Sequence, residues 1–158
     1  MKTSQYIVCV YQCKWYNLFN MEKDFEIVDH TADVGIVAYG ADINQAFANA
    51  AKALFSLITE LDDVEEILHR DTELVAPDQE NLLVEWLNEL IYLFDTENIV
   101  FKRFDITKLN NTQLKARSYG EKVDSSKHRL KTGVKAATYH RLKVDKGNGC
   151  RAQVLFDI

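Results

Sequence analysis

Proline and glycine are scarce in this sequence, with one proline and six glycines among 158 residues. That scarcity argues against a disordered chain, a collagen-like chain and a long linker, all of which are rich in these residues. The hydrophobic fraction of 47% is enough to build a core in a chain of this length. We therefore expect a single folded domain over most of the chain.

Positive charge is not in excess, since the formal net charge is −5 at pH 7. A protein that binds nucleic acid regardless of sequence needs clustered lysine and arginine to neutralise phosphates. Basic stretches do occur at residues 102–103 and 127–146. They suit contact with RNA or an acidic partner, but a solvated surface is the simpler interpretation.

Cysteine is rare, and the signatures of common enzyme classes are missing. Cys9, Cys13 and Cys150 are an odd number without a CxxC spacing, which fits a reducing, cytoplasmic compartment better than a disulfide framework. The four histidines lack the spacing of zinc ligands. There is no GxGxxG, Walker A, HExxH or GxSxG segment, so a self-sufficient nucleotide enzyme or a hydrolase of these types has no support.

Residues 1–20 differ from the rest of the chain in being aromatic and apolar. They are too short and too polar to span a membrane, and no signal-peptide cleavage pattern follows them. We interpret residues 1–20 as an upstream extension, with an added strand at a sheet edge as the alternative. Residues 21–158 are then one domain, and no membrane association is expected.

Two helices and a series of strands are predicted from hydrophobic periodicity. Asp42 is a good N-cap for a helix that reaches about residue 60, and Pro77-Asp78 starts a second helix that reaches about residue 95. Apolar and polar residues alternate in the predicted strands, which cover residues 25–29, 34–39, 64–75, 99–107, 113–119, 134–144 and 151–158. This order predicts an α+β fold of two layers, with a mostly antiparallel or mixed sheet and both helices packed on one face.

Acidic residues lie at the ends of two of these strands. Asp33 precedes an apolar strand, and Asp157 is next to last in the chain, before Ile158. If the two strands pair, Asp33 and the C-terminal carboxyl groups converge, and clustered oxygen ligands suit Ca²⁺ or Mg²⁺. The alternative for Asp33 is a turn residue that caps backbone N–H groups.

Three further polar residues lie next to or within predicted strands. Lys135 is either a charge that protects a sheet edge or the counter-charge of a carboxylate site. His30 either orients a carboxylate or is a hydrogen-bonded core histidine. His140 lies in the same predicted strand as Lys135, on its other face.

Four segments together resemble the archease family, in the order and spacing of that family. They are residues 29–35 (DHTADVG), 81–90 (NLLVEWLNEL), 134–140 (VKAATYH) and 156–158 (FDI). The resemblance covers the chain from about residue 24 to its end and excludes residues 1–20. It implies a small α+β protein of the tRNA-splicing system.

The resemblance also implies a function and a site. Archeases activate the RtcB-type RNA ligase by promoting guanylylation of its active-site histidine and multiple turnover, and they are not themselves the ligase. The implied metal ligands are Asp33, Asp157 and the terminal carboxylate of Ile158, with Ca²⁺ as the expected ion and Mg²⁺ or Mn²⁺ as alternatives. Lys135 is implied as a further functional position, and His30 and His140 are expected to contact the partner. RNA is then reached indirectly, through the ligase.

Two other classes of function compete with ligase activation. One is a general chaperone-like scaffold, in which the aspartates are structural. The other is a metal-dependent phosphoesterase, which paired aspartates can serve in principle. Stimulation of unrelated proteins would favour the first, and phosphatase or nuclease activity without a ligase would favour the second.

Overall fold

A computed structural model describes residues 23–29 and 31–158, so the predictions for residues 1–20 and for His30 lie outside the described residues. Within these residues the chain forms seven strands, two α-helices and one short 3₁₀ helix, Leu61–Asp63. In chain order the strands and helices are β1 Phe25–Asp29, β2 Asp33–Gly40, α1 Ile43–Ile58, β3 Leu68–Val75, α2 Gln79–Glu97, β4 Ile99–Leu109, β5 Gln113–Lys122, β6 Ala136–Gly147 and β7 Gly149–Asp157.

The strands form two antiparallel sheets. The four-stranded sheet has the order β1-β2-β7-β6, and the three-stranded sheet has the order β3-β5-β4. The predicted α+β class is confirmed, but the strands divide between two sheets where one was expected. Each helix contacts strands of both sheets, so the helices join the sheets into one body.

Both helices begin at the predicted aspartates because these side chains satisfy backbone N–H groups that have no partner within the helix. Asp42 accepts a hydrogen bond from the Gln45 amide at 2.8 Å, and Asp78 accepts one from the Asn81 amide at 2.8 Å. Helix α2 ends at Glu97 and is capped by Asn98, whose left-handed backbone (φ 53°) is a common way to terminate a helix.

The core lies between the helices and the inner faces of the sheets. An aromatic cluster joins α1, α2 and β4: Phe55 is 5.5 Å from Phe101 and 5.9 Å from Phe104, and Trp86 is 6.0 Å from Phe104 (ring centroids). All four rings are at most 7% exposed. The predicted apolar stripes of both helices are therefore core, and they fix the helices against the sheets.

Two predicted strands differ from the observed ones. The strand predicted at residues 64–75 begins only at Leu68, because the 3₁₀ helix and the extended residues after it precede the ladder with β5. The strand predicted at residues 134–144 begins at Ala136 and is interrupted. Its register with β7 shifts between Thr138 and Lys143, and Arg141 there has a φ of 53°.

Among residues 23–29 and 31–158, no helix is both long and apolar enough to cross a membrane.

Candidate functional site

The ends of β2 and β7 bring two aspartates together. Asp33, the first residue of β2, is the direct antiparallel partner of Asp157, the last residue of β7. The neighbouring pair, Val34 and Phe156, belongs to the core side of the sheet. Because side chains alternate along a strand, Asp33 and Asp157 project from the opposite, outer face. The predicted pairing of these two strand ends is confirmed.

The aspartate pair has a specific electrostatic character. Directly opposed residues in an antiparallel pair have Cβ atoms about 5 Å apart, and like charges in this position destabilise the sheet. A hard divalent cation bound by both carboxylates would remove that repulsion, since carboxylate oxygens are its preferred ligands. The chemistry of the two side chains therefore fits the predicted cation.

Lys135 joins this pair from the residue before β6. Its backbone N–H donates to the Asp157 carbonyl oxygen at 2.8 Å, which extends the ladder beyond the Ala136–Asp157 pair. Its Nζ donates to the Ile158 backbone oxygen at 3.3 Å. We call Asp33, Lys135, Asp157 and Ile158 the charged tip. Lys135, Asp157 and Ile158 are exposed and Asp33 is half-buried, so the tip is open to a partner.

The charged tip supplies only part of a coordination shell. Within the described part of the chain, no three or more His, Cys, Asp or Glu side chains are grouped so that they could hold a metal ion. Ca²⁺ takes six to eight oxygen ligands. An ion at the tip would therefore need oxygens from water, from a nucleotide or from a partner protein in addition to Asp33, Asp157 and a carboxylate at Ile158.

Gly35 allows close packing between β2 and β7 next to the tip. The sequence does not reveal this role. Gly35 lies on the same face of β2 as Asp33, and a Cβ atom there would come within 2.8 Å of Leu155 Cδ2 and 3.3 Å of the Val28 carbonyl oxygen. Leu155, which is 4% exposed, thus packs into the space that glycine leaves. This contact fixes β7 against β2 immediately next to Asp157.

A second cluster of polar residues, centred on Glu121 and His128, anchors the loop between β5 and β6, which ends at Lys135. His128, 4% exposed, accepts a hydrogen bond on Nδ1 from the Asp124 amide at 2.9 Å, so its proton is on Nε2 and is donated to Glu121 Oε1 at 3.0 Å. Glu121 also accepts from Lys127 Nζ at 2.8 Å and from the Glu65 amide at 2.7 Å. Glu121 and His128 could not be predicted from the sequence, because neither residue belongs to a recognisable motif.

The Glu121 carboxylate is kept ionised by its partners. Burial acts to raise its pKa, but hydrogen bonds from Lys127, from the Glu65 amide and from His128 together hold the pKa below its ordinary value. Farther along the same loop, the Lys131 amide donates to the Ile58 carbonyl at 2.8 Å. The loop is therefore tied to β5 and α1 before it delivers Lys135 to the tip.

The structure does not bring every predicted residue to the tip. His140 is exposed and lies farther along β6, in the irregular stretch beyond Thr138. His30 belongs to the residues that the structure does not describe.

A cavity of about 440 Å³ lies at the opposite end of β2 and β7, where Gly40 pairs with Cys150. Burial and the nearby Asp42 carboxylate raise the pKa of the Cys150 thiol. The tip and this cavity are thus separated by the length of the strand pair.

Comparisons with known proteins agree with the resemblance noted from the sequence. The model of the archease protein family matches residues 25–158. A protein archease of Methanosarcina mazei is 38% identical over 141 residues, which is 86% of this chain and 97% of that protein. A protein archease of Pyrococcus abyssi is 42% identical over 128 residues, covering 78% of this chain and 89% of that protein.

Two solved structures share the fold. The solution structure of Methanobacterium thermoautotrophicum protein 1598 has a TM-score of 0.75 and 35% identity, and the match covers 85% of this chain and 99% of that one. A crystal structure from Thermotoga maritima, described as an archease and possible chaperone, has a TM-score of 0.56 at 20% identity, covering 84% of this chain and 96% of that one. The second likeness concerns the fold alone.

Proposed function

The chain belongs to the archease family, and from that premise we propose that it activates an RtcB-type RNA ligase in the cytoplasm through the charged tip. In this role it promotes guanylylation of the ligase and repeated turnover during tRNA splicing, and it does not join RNA itself. The observation that carries the proposal is the placement of Asp33 directly opposite Asp157, with Lys135 against the adjoining chain end.

The tip suits insertion into a nucleotide-binding cleft. Asp33, Asp157 and a carboxylate at Ile158 offer hard oxygen ligands from one edge of a rigid sheet, and a Ca²⁺, Mg²⁺ or Mn²⁺ ion held there would supply positive charge next to a triphosphate. Lys135 adds an ammonium group on the same edge, which can donate to a carboxylate or a phosphate oxygen.

The packing behind the tip supports a positioning role. Gly35 and Leu155 fix β2 against β7, and the loop from Val123 to Lys135 is anchored through Glu121 and His128. A site that must organise the groups of another protein gains from such a rigid frame, because little entropy is then lost on binding. The tip can therefore present its charges in one geometry without taking part in covalent chemistry.

The test is guanylylation of the cognate RtcB-type ligase with GTP and metal, with and without the full chain. A rise in ligase-GMP at substoichiometric protein, together with multiple-turnover RNA joining, is the expected result. A parallel assay with an unrelated aggregation-prone protein tests the scaffold alternative, and hydrolysis of a phosphate ester without ligase tests the phosphoesterase alternative. Protection of the aggregation-prone protein, or hydrolysis of the phosphate ester, together with no effect on the ligase, would overturn the proposal.

A further inference from the structure

The strand that leads from Lys135 is weakly held by its own sheet. Among the described strands, β6 lies at the edge of its sheet, with β7 as its one neighbour. Next to the tip, Ala136, Ala137 and Thr138 pair with β7; the register then shifts, and pairing resumes at Lys143. An edge strand leaves backbone N–H and C=O groups without a partner on its outer side. The first three residues of β6, Ala136 to Thr138, therefore need hydrogen-bond partners outside their own sheet.

Asn88 of α2 supplies that support. Its Oδ1 accepts the Ala137 N–H at 2.8 Å, and its Nδ2 donates to the Ala137 carbonyl oxygen at 3.2 Å. One side chain thus pairs with both backbone groups of one residue, as a neighbouring strand would. A second contact from α2 lies beside it, where the Tyr139 hydroxyl donates to Glu85 Oε1 at 3.3 Å.

The chemistry of this pairing requires an amide. Ala137 presents one donor and one acceptor, and asparagine matches them with one acceptor and one donor on a planar group. Aspartate has the same shape but offers no donor, so it would place an anionic oxygen against the Ala137 carbonyl. Ala137 is 5% exposed, which makes an unsatisfied backbone group there costly.

We propose that Asn88 is a positioning residue of the charged tip. By fixing Ala137, it keeps the start of β6 in register with β7, and this register places the Lys135 N–H on Asp157 and the Lys135 Nζ on Ile158. The functional part of this inference rests on the proposed function, because it assigns Asn88 to the site that acts on the ligase. It also gives residues 81–90, the longest of the family-like segments, a connection to the tip.

The test compares Asn88→Asp and Asn88→Ala with the control Glu80→Ala in the full chain. Glu80 is matched because its Oε1 accepts the Val144 N–H at 3.4 Å, so it also joins α2 to β6, but beyond the irregular stretch. Asn88→Asp preserves size, shape and the acceptor for Ala137, and so keeps the test available if the alanine variant folds poorly. The readout is amide hydrogen exchange at Lys135, with amides of β5 reporting on global stability.

We expect exchange of the Lys135 amide to be at least about tenfold faster in both Asn88 variants, because Asn88→Asp loses one hydrogen bond to Ala137 and Asn88→Ala loses two. Exchange at this amide in Glu80→Ala should match the wild type. A wild-type rate at Lys135 in the Asn88 variants would overturn the proposal.

Ligase guanylylation separates this inference from the proposed function. Where the wild type stimulates the ligase, the Asn88 variants should stimulate it several-fold less at equal folded concentration. Full stimulation by variants with fast Lys135 exchange would overturn the positioning role. Lack of stimulation by the wild type itself would instead overturn the proposed function, while the exchange rates would still decide whether Asn88 holds the tip.

Discussion

Asp33 and Asp157 face each other across the β2–β7 ladder, one opening its strand and the other closing it. Two like charges in direct opposition reduce the stability of a sheet. A cation bound by both carboxylates, as proposed for the charged tip, would remove this cost. Several consequences of that relationship can be measured without the ligase.

Addition of Ca²⁺ to protein freed of metal with EDTA should raise the thermal unfolding midpoint. With the ion at about 100-fold excess over its dissociation constant, a rise of roughly 5 to 10 °C is expected for a domain of this size. Asp33→Asn should abolish the rise, whereas Asp62→Asn, a change to an exposed aspartate of the 3₁₀ helix, should retain it. An equal rise in both variants would show that the ion binds elsewhere.

Removal of one charge from the pair should stabilise the protein when metal is absent. Asp157→Asn is expected to increase the free energy of unfolding by about 0.5 kcal/mol in EDTA, because the cross-strand repulsion is removed. Urea denaturation of the variant and the wild type measures this difference. A clear loss of stability would mean that the Asp157 carboxylate has a structural role in the sheet.

Gly35→Ala should destabilise the fold through Leu155. The added methyl group would lie 2.8 Å from Leu155 Cδ2, so the side chain must move, at a cost of about 1 to 2 kcal/mol. In the Gly35→Ala background, Leu155→Val should cost less than it does alone, since the shorter side chain relieves the contact. Additive effects of the two changes in urea denaturation would contradict this explanation.

Glu121 should make stability depend on pH in the acidic range. Its pKa is lowered in the folded protein, whereas a glutamate in the unfolded chain has a pKa of about 4.3. The contribution of Glu121 is therefore present above about pH 4.3 and is lost as the pH falls through the folded-state pKa. Between about pH 5 and about pH 3, Glu121→Gln should lose less stability than the wild type.

Urea denaturation at a series of pH values measures this effect. The control is Glu73→Gln, since Glu73 is an exposed glutamate on β3. If Glu121→Gln and the wild type lose stability in parallel, the hydrogen bonds to Glu121 do not lower its pKa.

The elements that the sequence predicted best depend on local chemistry. Asp42 and Asp78 marked both helix starts, because an N-cap acts on amides only a few residues away. The convergence of Asp33 with Asp157 was also predicted, from two strand-like ends and the assumption that they pair. The division into two sheets was not predicted, because alternation shows which face of a strand is apolar but does not show which strands are partners.

Contacts of single side chains with residues distant in the chain could not be predicted from the sequence. Asn88 lies within an apolar helix pattern, and its partner Ala137 is 49 residues away. The alternation through residues 134–144 likewise gave no sign of the register shift or of the positive φ at Arg141. Such features depend on how helix and sheet pack, which periodicity does not encode.

The most direct test of the account is ligase guanylylation with variants of the tip. Equal substoichiometric amounts of wild type, Asp33→Ala and the control Asp62→Ala are added to the RtcB-type ligase with GTP and metal, after each is shown to be folded. We expect the wild type and Asp62→Ala to raise ligase-GMP formation and Asp33→Ala not to raise it. Full stimulation by folded Asp33→Ala protein would show that the charged tip does not carry the activity.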